Sequence, residues 1–329
     1  MNRKLVLVLL SLLIIIAFPL LWNAFDTVPK KAPVNKDPAM QDLPVDIAVT
    51  MTPADSHVRE AHEPVCLVPV ADGIDVTSNA VAYIDHSHTD QGYVCAGYIG
   101  DCPKVKLRII GPDEVVYTYD LHGPGPETFP LSSGNGNYTV TIYENIEGTS
   151  YSTCLYAEIT VEIADEFLPY LYPNQYVNFN SSSLTVAKGA ELVQEATTDL
   201  ETVTLIYDYI TSSITYDYAK AEDPPVGYTT DVDEILQSCT GICLDYAAVM
   251  AAMLRSQCIP TRLEIGYAKD AYHAWISVYV EDIGWLNGII EFDGTGWTLV
   301  DPTFGANTEE RILKKFIGDG TNYVIQKMY

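Results

Sequence analysis

The sequence is poor in basic residues, and this shortage excludes a class of partner. Only 18 lysines and arginines oppose 44 acidic residues in 329 positions, which gives a net charge of −26. Nucleic-acid phosphates and anionic membrane surfaces repel a chain of this charge, and no basic cluster reverses the effect. We therefore expect no nucleic-acid partner.

Groups of metal ligands are also scarce. Six histidines are present, and one close pair, His86 and His88, is more typical of a polar loop than of a metal site. Cys239 and Cys243 have no second pair of ligands, so a zinc site is not expected. We expect neither a metal nor an organic cofactor.

One long hydrophobic run stands near the start of the chain, from Leu5 to Trp22, directly after Arg3 and Lys4. It is long enough to cross a bilayer, which takes about 20 residues, and the charges before it should stay in the cytoplasm. Bulky residues leave no small-residue cleavage site, so we expect residues 1–25 to form an uncleaved membrane anchor. A cleaved signal peptide is the alternative, and both place the rest of the chain outside the cytoplasm.

Two regions without catalytic motifs follow. Residues 26–64 are rich in proline and lack hydrophobic periodicity, as is typical of an extended stalk. Residues 65–164 alternate between apolar and polar positions, which predicts an immunoglobulin-like antiparallel β-sandwich that serves as a spacer or binding module. The predicted strands are 81–84, 105–109, 115–119, 138–143 and 157–163.

The hydrophobic pattern changes near residue 165, and we predict a second domain, of the α+β class, over residues 168–329. Thr230 and Asp233 have the spacing of a helix-start signal. Predicted helices cover 187–198, 199–212 and a short stretch that ends near 237, and predicted strands cover 261–268, 273–280 and 297–300.

The second domain is organised around residues 240–250, a turn that opens a helix. Gly241 suits the turn, and apolar residues recur at helical spacing from Leu244 until Pro260 ends the pattern. Cys243 therefore lies in the first turn of a mostly buried helix, where unpaired N–H groups and the helix dipole favour an anion. We expect this thiol to lose its proton readily and to act as a nucleophile.

Three short motifs occur in order: Gly-x-Cys-x-Asp-Tyr-Ala around Cys243, His-Ala-Trp beginning at His273, and Asp-Pro-Thr beginning at Asp301. This arrangement resembles the transglutaminase-like superfamily of papain-type thiol enzymes over about residues 185–310. The resemblance implies that Cys243 is the nucleophile, His273 the base and Asp301 the carboxylate that orients the base. His273 is the one histidine after His122, so this half of the chain offers no rival base.

The resemblance also implies an aromatic residue on the N-terminal side of the cysteine that helps to hold the developing oxyanion. Tyr216 is the candidate in this sequence. A tyrosine that only packs at a helix end is the alternative interpretation.

The remaining cysteines suggest structural roles. Four of them fall in the predicted sandwich, and an even number outside the cytoplasm favours disulfides; Cys95 and Cys102 could close a hairpin. Cys239 and Cys258 flank the central helix, which spans about 20 Å, whereas bridged Cα atoms lie within about 7 Å, so this pair should not bridge. The four are Cys66, Cys95, Cys102 and Cys154.

These observations predict an extracytoplasmic thiol enzyme that cleaves amide or peptide bonds of a protein or peptide substrate through a thioester. Protein cross-linking by amine transfer is one alternative, and a catalytically idle envelope scaffold is another. An amine acceptor would need positioning groups near His273, because water competes for the thioester. The candidates are Asp270, Tyr272, Glu281 and Asp282.

Overall fold

The computed structural model describes residues 63–268, 271–281, 284–286, 291–292, 297–298 and 323–329. Within these residues the protein is of mixed α/β type, with eight strands before the first α-helix. Residues 145–151, at the tip of one long hairpin, belong to a different compact unit from the rest of the described chain. In that tip, Asn145 Nδ2 donates hydrogen bonds to the carbonyls of Gly148 and Ser150.

The first eight strands form two four-stranded sheets, ordered β1-β2-β3-β6 and β5-β4-β7-β8. Their registered pairs run antiparallel. The burial of β4 alternates residue by residue, as expected for a strand with one face against the core. The strands are β1 Val76–Ser78, β2 Ala82–Asp85, β3 Tyr93–Tyr98, β4 Val105–Ile110, β5 Val116–Leu121, β6 Glu127–Pro130, β7 Gly136–Glu147 and β8 Ser150–Val161.

Three of these strands, β1, β3 and β6, are absent from the sequence-based prediction. All six residues of β3 are buried, so this strand carries no alternation between apolar and polar positions. β1 and β6 have three and four residues, which is too short for a period of two to be distinguished. The five predicted strands correspond to β2, β4, β5, β7 and β8.

The helices and the second main sheet follow. The sheet is ordered β13-β12-β11-β16, and two small ladders pair β9 with β10 and β14 with β15. The helices are α1 Leu184–Leu192, α2 Asp199–Ser213, α3 Tyr218–Glu222, α4 Val232–Ser238 and α5 Cys243–Ser256. The strands are β9 Thr215–Tyr216, β10 Thr240–Gly241, β11 Thr261–Ala268, β12 Ala271–Val280, β13 Gly284–Leu286, β14 Glu291–Phe292, β15 Trp297–Thr298 and β16 Tyr323–Met328.

Helix α5 is the centre of this part of the chain. Every residue of α5 after Cys243 is buried, and the helix contacts α1, α2, α4, β11 and β12. Near its end, the buried guanidinium of Arg255 donates hydrogen bonds to the carbonyls of Thr261, Tyr172 and Tyr329. Burial lowers the pKa of Arg255 to about 9. These bonds fix the C-terminal end of α5, and with it the direction in which the first turn projects.

Two helix boundaries differ from the prediction. Helix α1 begins three residues earlier than expected and ends at Leu192. The helix-start assignment at Thr230 is wrong: Asp231 caps α4, and its side chain accepts the N–H groups of Asp233 and Glu234. The Thr230 hydroxyl instead donates to a buried carboxylate. A buried carboxylate that lacks this donor costs more free energy than a helix end that water can reach.

The predicted membrane anchor and stalk, residues 1–25 and 26–64, lie outside the described residues except at 63 and 64. None of the helices that the structure describes is both long and apolar enough to cross a bilayer. The strand predicted over 297–300 is described only as Trp297–Thr298.

Candidate active site

A parallel two-stranded ladder places a tyrosine beside the candidate nucleophile. Gly241 of β10 pairs with Tyr216 of β9. The Asp217 N–H donates to the Gly241 carbonyl at 2.9 Å, and the Thr215 N–H donates to the Cys239 carbonyl at 2.8 Å. The chain therefore enters α5 alongside β9, with Cys243 as the first helical residue.

The sulfur of Cys243 accepts hydrogen bonds from three directions. The donors are the backbone N–H groups of Ala274 and Leu244 and the side chain of Tyr216. The Cys243 N–H in turn donates to the Tyr216 hydroxyl oxygen. Since Ala274 directly follows His273 in β12, the nucleophile lies beside the strand that carries the predicted base.

The Cys243 thiol is not acidified. Burial raises the pKa of Cys243, and the negative charge of Asp245 acts in the same direction, whereas the three hydrogen bonds oppose these effects. The expectation that the helix N-terminus would lower this pKa is wrong, because removal of the thiolate from water outweighs the helix dipole. The sulfur therefore requires a base before it can attack.

His273 has the protonation state that this base requires. Its side chain is 8% exposed, and burial lowers the pKa of His273 to about 4. The imidazole is therefore neutral at physiological pH and can accept a proton. His273 pairs with Gly266 of β11, where a Cβ atom would lie 2.0 Å from the Val324 carbonyl oxygen, so glycine permits the close approach of β16.

The third predicted residue, Asp301, lies outside the described residues. The structure thus brings together Cys243, Tyr216 and the strand of His273. Tyr216 is partly buried, and burial raises the pKa of its hydroxyl, which keeps it a hydrogen-bond donor at neutral pH.

Asp245 is a site residue to which the sequence analysis gave no role. Its carboxylate is fully buried and accepts the Ile242 N–H at 2.9 Å, which completes a hydrogen-bonded first turn of α5. Lys220, Tyr228 and Thr230 donate to the same carboxylate. An acid at the third position of a helix was the available signal, since such an acid can bond back to the N-cap residue.

Glu264 is a second such residue, and it supports the histidine strand. Its buried Oε2 atom accepts the Trp275 indole N–H at 2.6 Å and the Ser277 hydroxyl at 2.8 Å. Burial raises the pKa of this carboxyl group. Because Trp275 and Ser277 follow His273 at alternate positions of β12, Glu264 fixes the strand that carries the base.

The predicted amine-positioning residues are described only in part. Tyr272 is partly exposed and its ring lies 5.3 Å from that of Tyr267, while Glu281 is exposed just after β12. Asp270 and Asp282 lie outside the described residues.

The two histidines that follow β2 each contact a different carboxylate. His86 lies 3.3 Å from Asp75 and His88 lies 3.0 Å from Asp72. Among the residues that the structure describes, no three histidine, cysteine or acidic side chains form a group that could hold a metal ion.

All seven cysteines fall in the described part of the chain, and none forms a disulfide there. Cys95 is buried in β3, with its sulfur 3.8 Å from the Val70 carbonyl oxygen, and the Cys102 sulfur donates to the Lys104 carbonyl. Cys239, with φ of 53°, caps the C-terminus of α4 and is exposed, as is Cys258.

Comparisons with known proteins identify a superfamily. The profile of the transglutaminase-like superfamily matches residues 187–302. The kyphoscoliosis peptidase of Homo sapiens is 30% identical over 153 residues, which cover 41% of this chain and 21% of that protein, so the chain spans about one fifth of that relative. An uncharacterized protein of Mycobacterium leprae is 27% identical over 214 residues, which cover 64% of this chain and 69% of that one.

Among solved structures, a candidate cysteine protease of Cytophaga hutchinsonii is similar with 16% identity and a TM-score of 0.36. The match covers 78% of this chain and 74% of that structure.

Proposed function

Because residues 187–302 belong to the transglutaminase-like superfamily, we propose that this chain is a cysteine-dependent amidase or peptidase. The proposal rests on the contacts of the Cys243 sulfur. The sulfur lies at a helix N-terminus, bonds to the side chain of Tyr216, and accepts the N–H of Ala274, the residue after His273. A base, a nucleophile and donors for an oxyanion are the groups that acyl transfer through a thiol requires.

The reaction proceeds in two steps. In the first, His273 accepts the thiol proton while Cys243 attacks the amide carbonyl, and the resulting oxyanion accepts hydrogen bonds from the Cys243 N–H and the Tyr216 hydroxyl. Collapse of this intermediate breaks the C–N bond, and the imidazolium returns the proton to the leaving amine. In the second step, His273 accepts a proton from water while the water oxygen attacks the thioester carbonyl. Collapse of this intermediate breaks the C–S bond, the imidazolium returns its proton to the Cys243 sulfur, and the carboxylic acid leaves. Asp301 holds the imidazole in the tautomer that these transfers need.

Hydrolysis is the proposed outcome, and protein cross-linking is the alternative. Water is present at about 55 M, so a dilute amine competes for the thioester only when the protein holds it in place. Of the predicted positioning residues that the structure describes, Glu281 is exposed and Tyr272 packs on Tyr267. Asp270 and Asp282 lie outside the described residues, so the abundance of water is the ground for proposing hydrolysis.

The test compares release of acid with incorporation of amine. The full chain is incubated with glutamine-containing peptides and a labelled primary amine, as wild type, as Cys243→Ala and as the control Cys239→Ala, which removes an exposed thiol four residues away. We expect free acid to form with wild type and the control but not with Cys243→Ala. Cys243-dependent incorporation in excess of acid would establish the transferase, and no Cys243-dependent product from any peptide would indicate an idle scaffold.

We further propose that the enzyme works outside the cytoplasm, anchored by residues 1–25, with an immunoglobulin-like β-sandwich over 65–164 between stalk and catalytic domain 168–329. The apolar run Leu5–Trp22 after Arg3 and Lys4 supports the anchor. A tag placed after residue 329 should react with an impermeant reagent in intact cells, and a tag before residue 2 should not. A C-terminal tag that reacts only after lysis would contradict this location.

A further inference from the structure

One buried carboxylate ties the nucleophile turn to a separate loop. The Asp245 side chain is 0% exposed and accepts four hydrogen bonds. The donors are Ile242 N–H at 2.9 Å, Lys220 Nζ at 2.9 Å, Thr230 Oγ1 at 2.7 Å and Tyr228 OH at 2.6 Å. A buried charge persists only when it is bonded and paired, so these four groups have to stay in place around Asp245.

The bond to Ile242 fixes the backbone immediately before Cys243. Gly241, one residue earlier, lies so close that an added Cβ atom would be 2.7 Å from the Asp245 Cβ. Asp245 therefore sets the conformation of the turn from which the sulfur projects, while the loop that carries Tyr228 and Thr230 holds Asp245 from the other side.

This arrangement has an electrostatic cost for the nucleophile. Asp245 is two residues from Cys243, and its negative charge disfavours the thiolate. Lys220 projects from α3 onto the same carboxylate, and its ammonium group also lies 4.0 Å from the centre of the Tyr228 ring. The ammonium group lies 2.9 Å from the carboxylate oxygen, and a cation so close opposes the negative charge of the carboxylate.

We propose that Asp245 and Lys220 are paired positioning residues: Asp245 fixes the turn that presents Cys243, and Lys220 neutralises Asp245 so that the turn is held without suppressing the nucleophile. This inference rests on the proposed role of Cys243.

Other titratable groups also face the sulfur or the carboxylate. Tyr216 approaches the sulfur from β9, β12 passes beside it at Ala274, the residue after His273, and Tyr228 bonds to the carboxylate from its loop. Burial raises the pKa of both tyrosines, and burial lowers the pKa of His273 to about 4, so all three are uncharged at neutral pH. Among the residues that the structure describes around this turn, Lys220 and Asp245 form the charged pair.

The test measures the reactivity of Cys243 without any substrate. Iodoacetamide forms an S–C bond with the thiolate and expels iodide, and mass spectrometry of the Cys243 peptide gives the rate at each pH for the full chain. The variants are Lys220→Met, Lys220→Gln, Lys220→Arg and the control Lys188→Met, which removes a lysine whose salt bridge to Glu191 lies on the surface of α1.

Lys220→Met and Lys220→Gln should move the midpoint of the rate profile upward by about one pKa unit, which is about tenfold in rate below the midpoint. Lys220→Arg and Lys188→Met should keep the wild-type profile, because both retain a cation beside Asp245. Glutamine is uncharged but can still donate a hydrogen bond to Asp245, so a shift in Lys220→Gln reports the loss of charge and not the loss of a bond. If Lys220→Met does not fold, Lys220→Gln takes its place.

An unchanged midpoint in both neutral variants, or an equal shift in Lys220→Arg, would overturn the proposal. The alkylation assay requires no turnover, so its result does not depend on whether the chain hydrolyses amides. A chain that shows the shift but hydrolyses no amide through Cys243 would retain the charge pair and lose the amidase assignment.

Discussion

The hydroxyl group of Tyr216 donates a hydrogen bond to the sulfur of Cys243 and accepts one from the Cys243 backbone N–H. The pairing of β9 with β10 produces this contact, because it aligns Gly241 with Tyr216 two residues before the cysteine. The Cys243 N–H and the Tyr216 hydroxyl group thus both lie next to the sulfur.

Tyr216→Phe removes one of these two donors. We expect kcat for Cys243-dependent amide hydrolysis to fall by about 10²–10³-fold with little change in KM, because the lost bond acts in the transition state. Tyr218→Phe is the matched control: Tyr218 is 62% exposed and its ring lies 5.1 Å from that of Tyr216. A change of less than twofold in Tyr216→Phe would show that the tyrosine only packs at the helix end.

Gly241→Ala should deform the nucleophile turn. The new Cβ atom would lie 2.7 Å from the Asp245 Cβ, and relief of such a clash costs about 1–3 kcal/mol of unfolding free energy. Denaturant unfolding measures this loss, and the alkylation rate of Cys243 should fall with it. Gly123→Ala is the control, since nothing lies within 4 Å of its added Cβ. Equal stability of the two variants would contradict the tight packing of this turn.

Asp301→Asn tests the residue that the structure does not describe. If Asp301 orients His273, the amide cannot stabilise the imidazolium or hold its tautomer, and kcat should fall by about 10²–10⁴-fold. Asp223→Asn, in the exposed loop after α3, is the control. Wild-type turnover in Asp301→Asn would show that Asp301 does not orient His273 and that another group does.

The sequence predicted the elements that carry the chemistry better than those that support them. The bounds of β11 and most of β12 follow from hydrophobic periodicity, and the turn at Gly241 fixes where α5 starts. Tyr216 lies beside the turn at Gly241 in the fold but far from it in the sequence. Its role was therefore predicted from the family resemblance and not from hydrophobic periodicity.

The residues that hold the turn could not be predicted, since their partners are set by tertiary packing. Thr230 has the chemistry of a helix cap, and only the fold shows that its hydroxyl donates to Asp245. Local sequence likewise gives no indication that the Glu264 carboxylate is enclosed between strands, where it bonds to Trp275.

Glu264→Gln should change how stability depends on pH. Burial raises the pKa of Glu264, so the folded chain binds this proton more tightly than the unfolded chain. Stability therefore falls as pH rises from the unfolded pKa, about 4.3, through the folded value. Glutamine stays neutral and its oxygen can accept both existing hydrogen bonds, so the variant should gain stability relative to wild type over that rise.

Denaturant unfolding of Glu264→Gln and wild type at several pH values measures the difference. Glu281→Gln, which changes an exposed carboxylate just after β12, should show no such trend. A Glu264→Gln variant that loses stability relative to wild type as pH rises would mean that the carboxylate is ionised and stabilising in the folded chain.

Selective acylation of one thiol among seven tests whether Cys243 is the nucleophile and His273 its base. The full chain is treated with an acyl-type thiol electrophile, and the modified peptide is identified by mass spectrometry for wild type, Cys243→Ala and His273→Asn. We expect one adduct, on Cys243, which is lost in Cys243→Ala and forms at least about 100-fold more slowly in His273→Asn because the base is absent. Preferential modification of the exposed Cys239 or Cys258, or an adduct on Cys243 that forms equally fast in His273→Asn, would contradict this assignment.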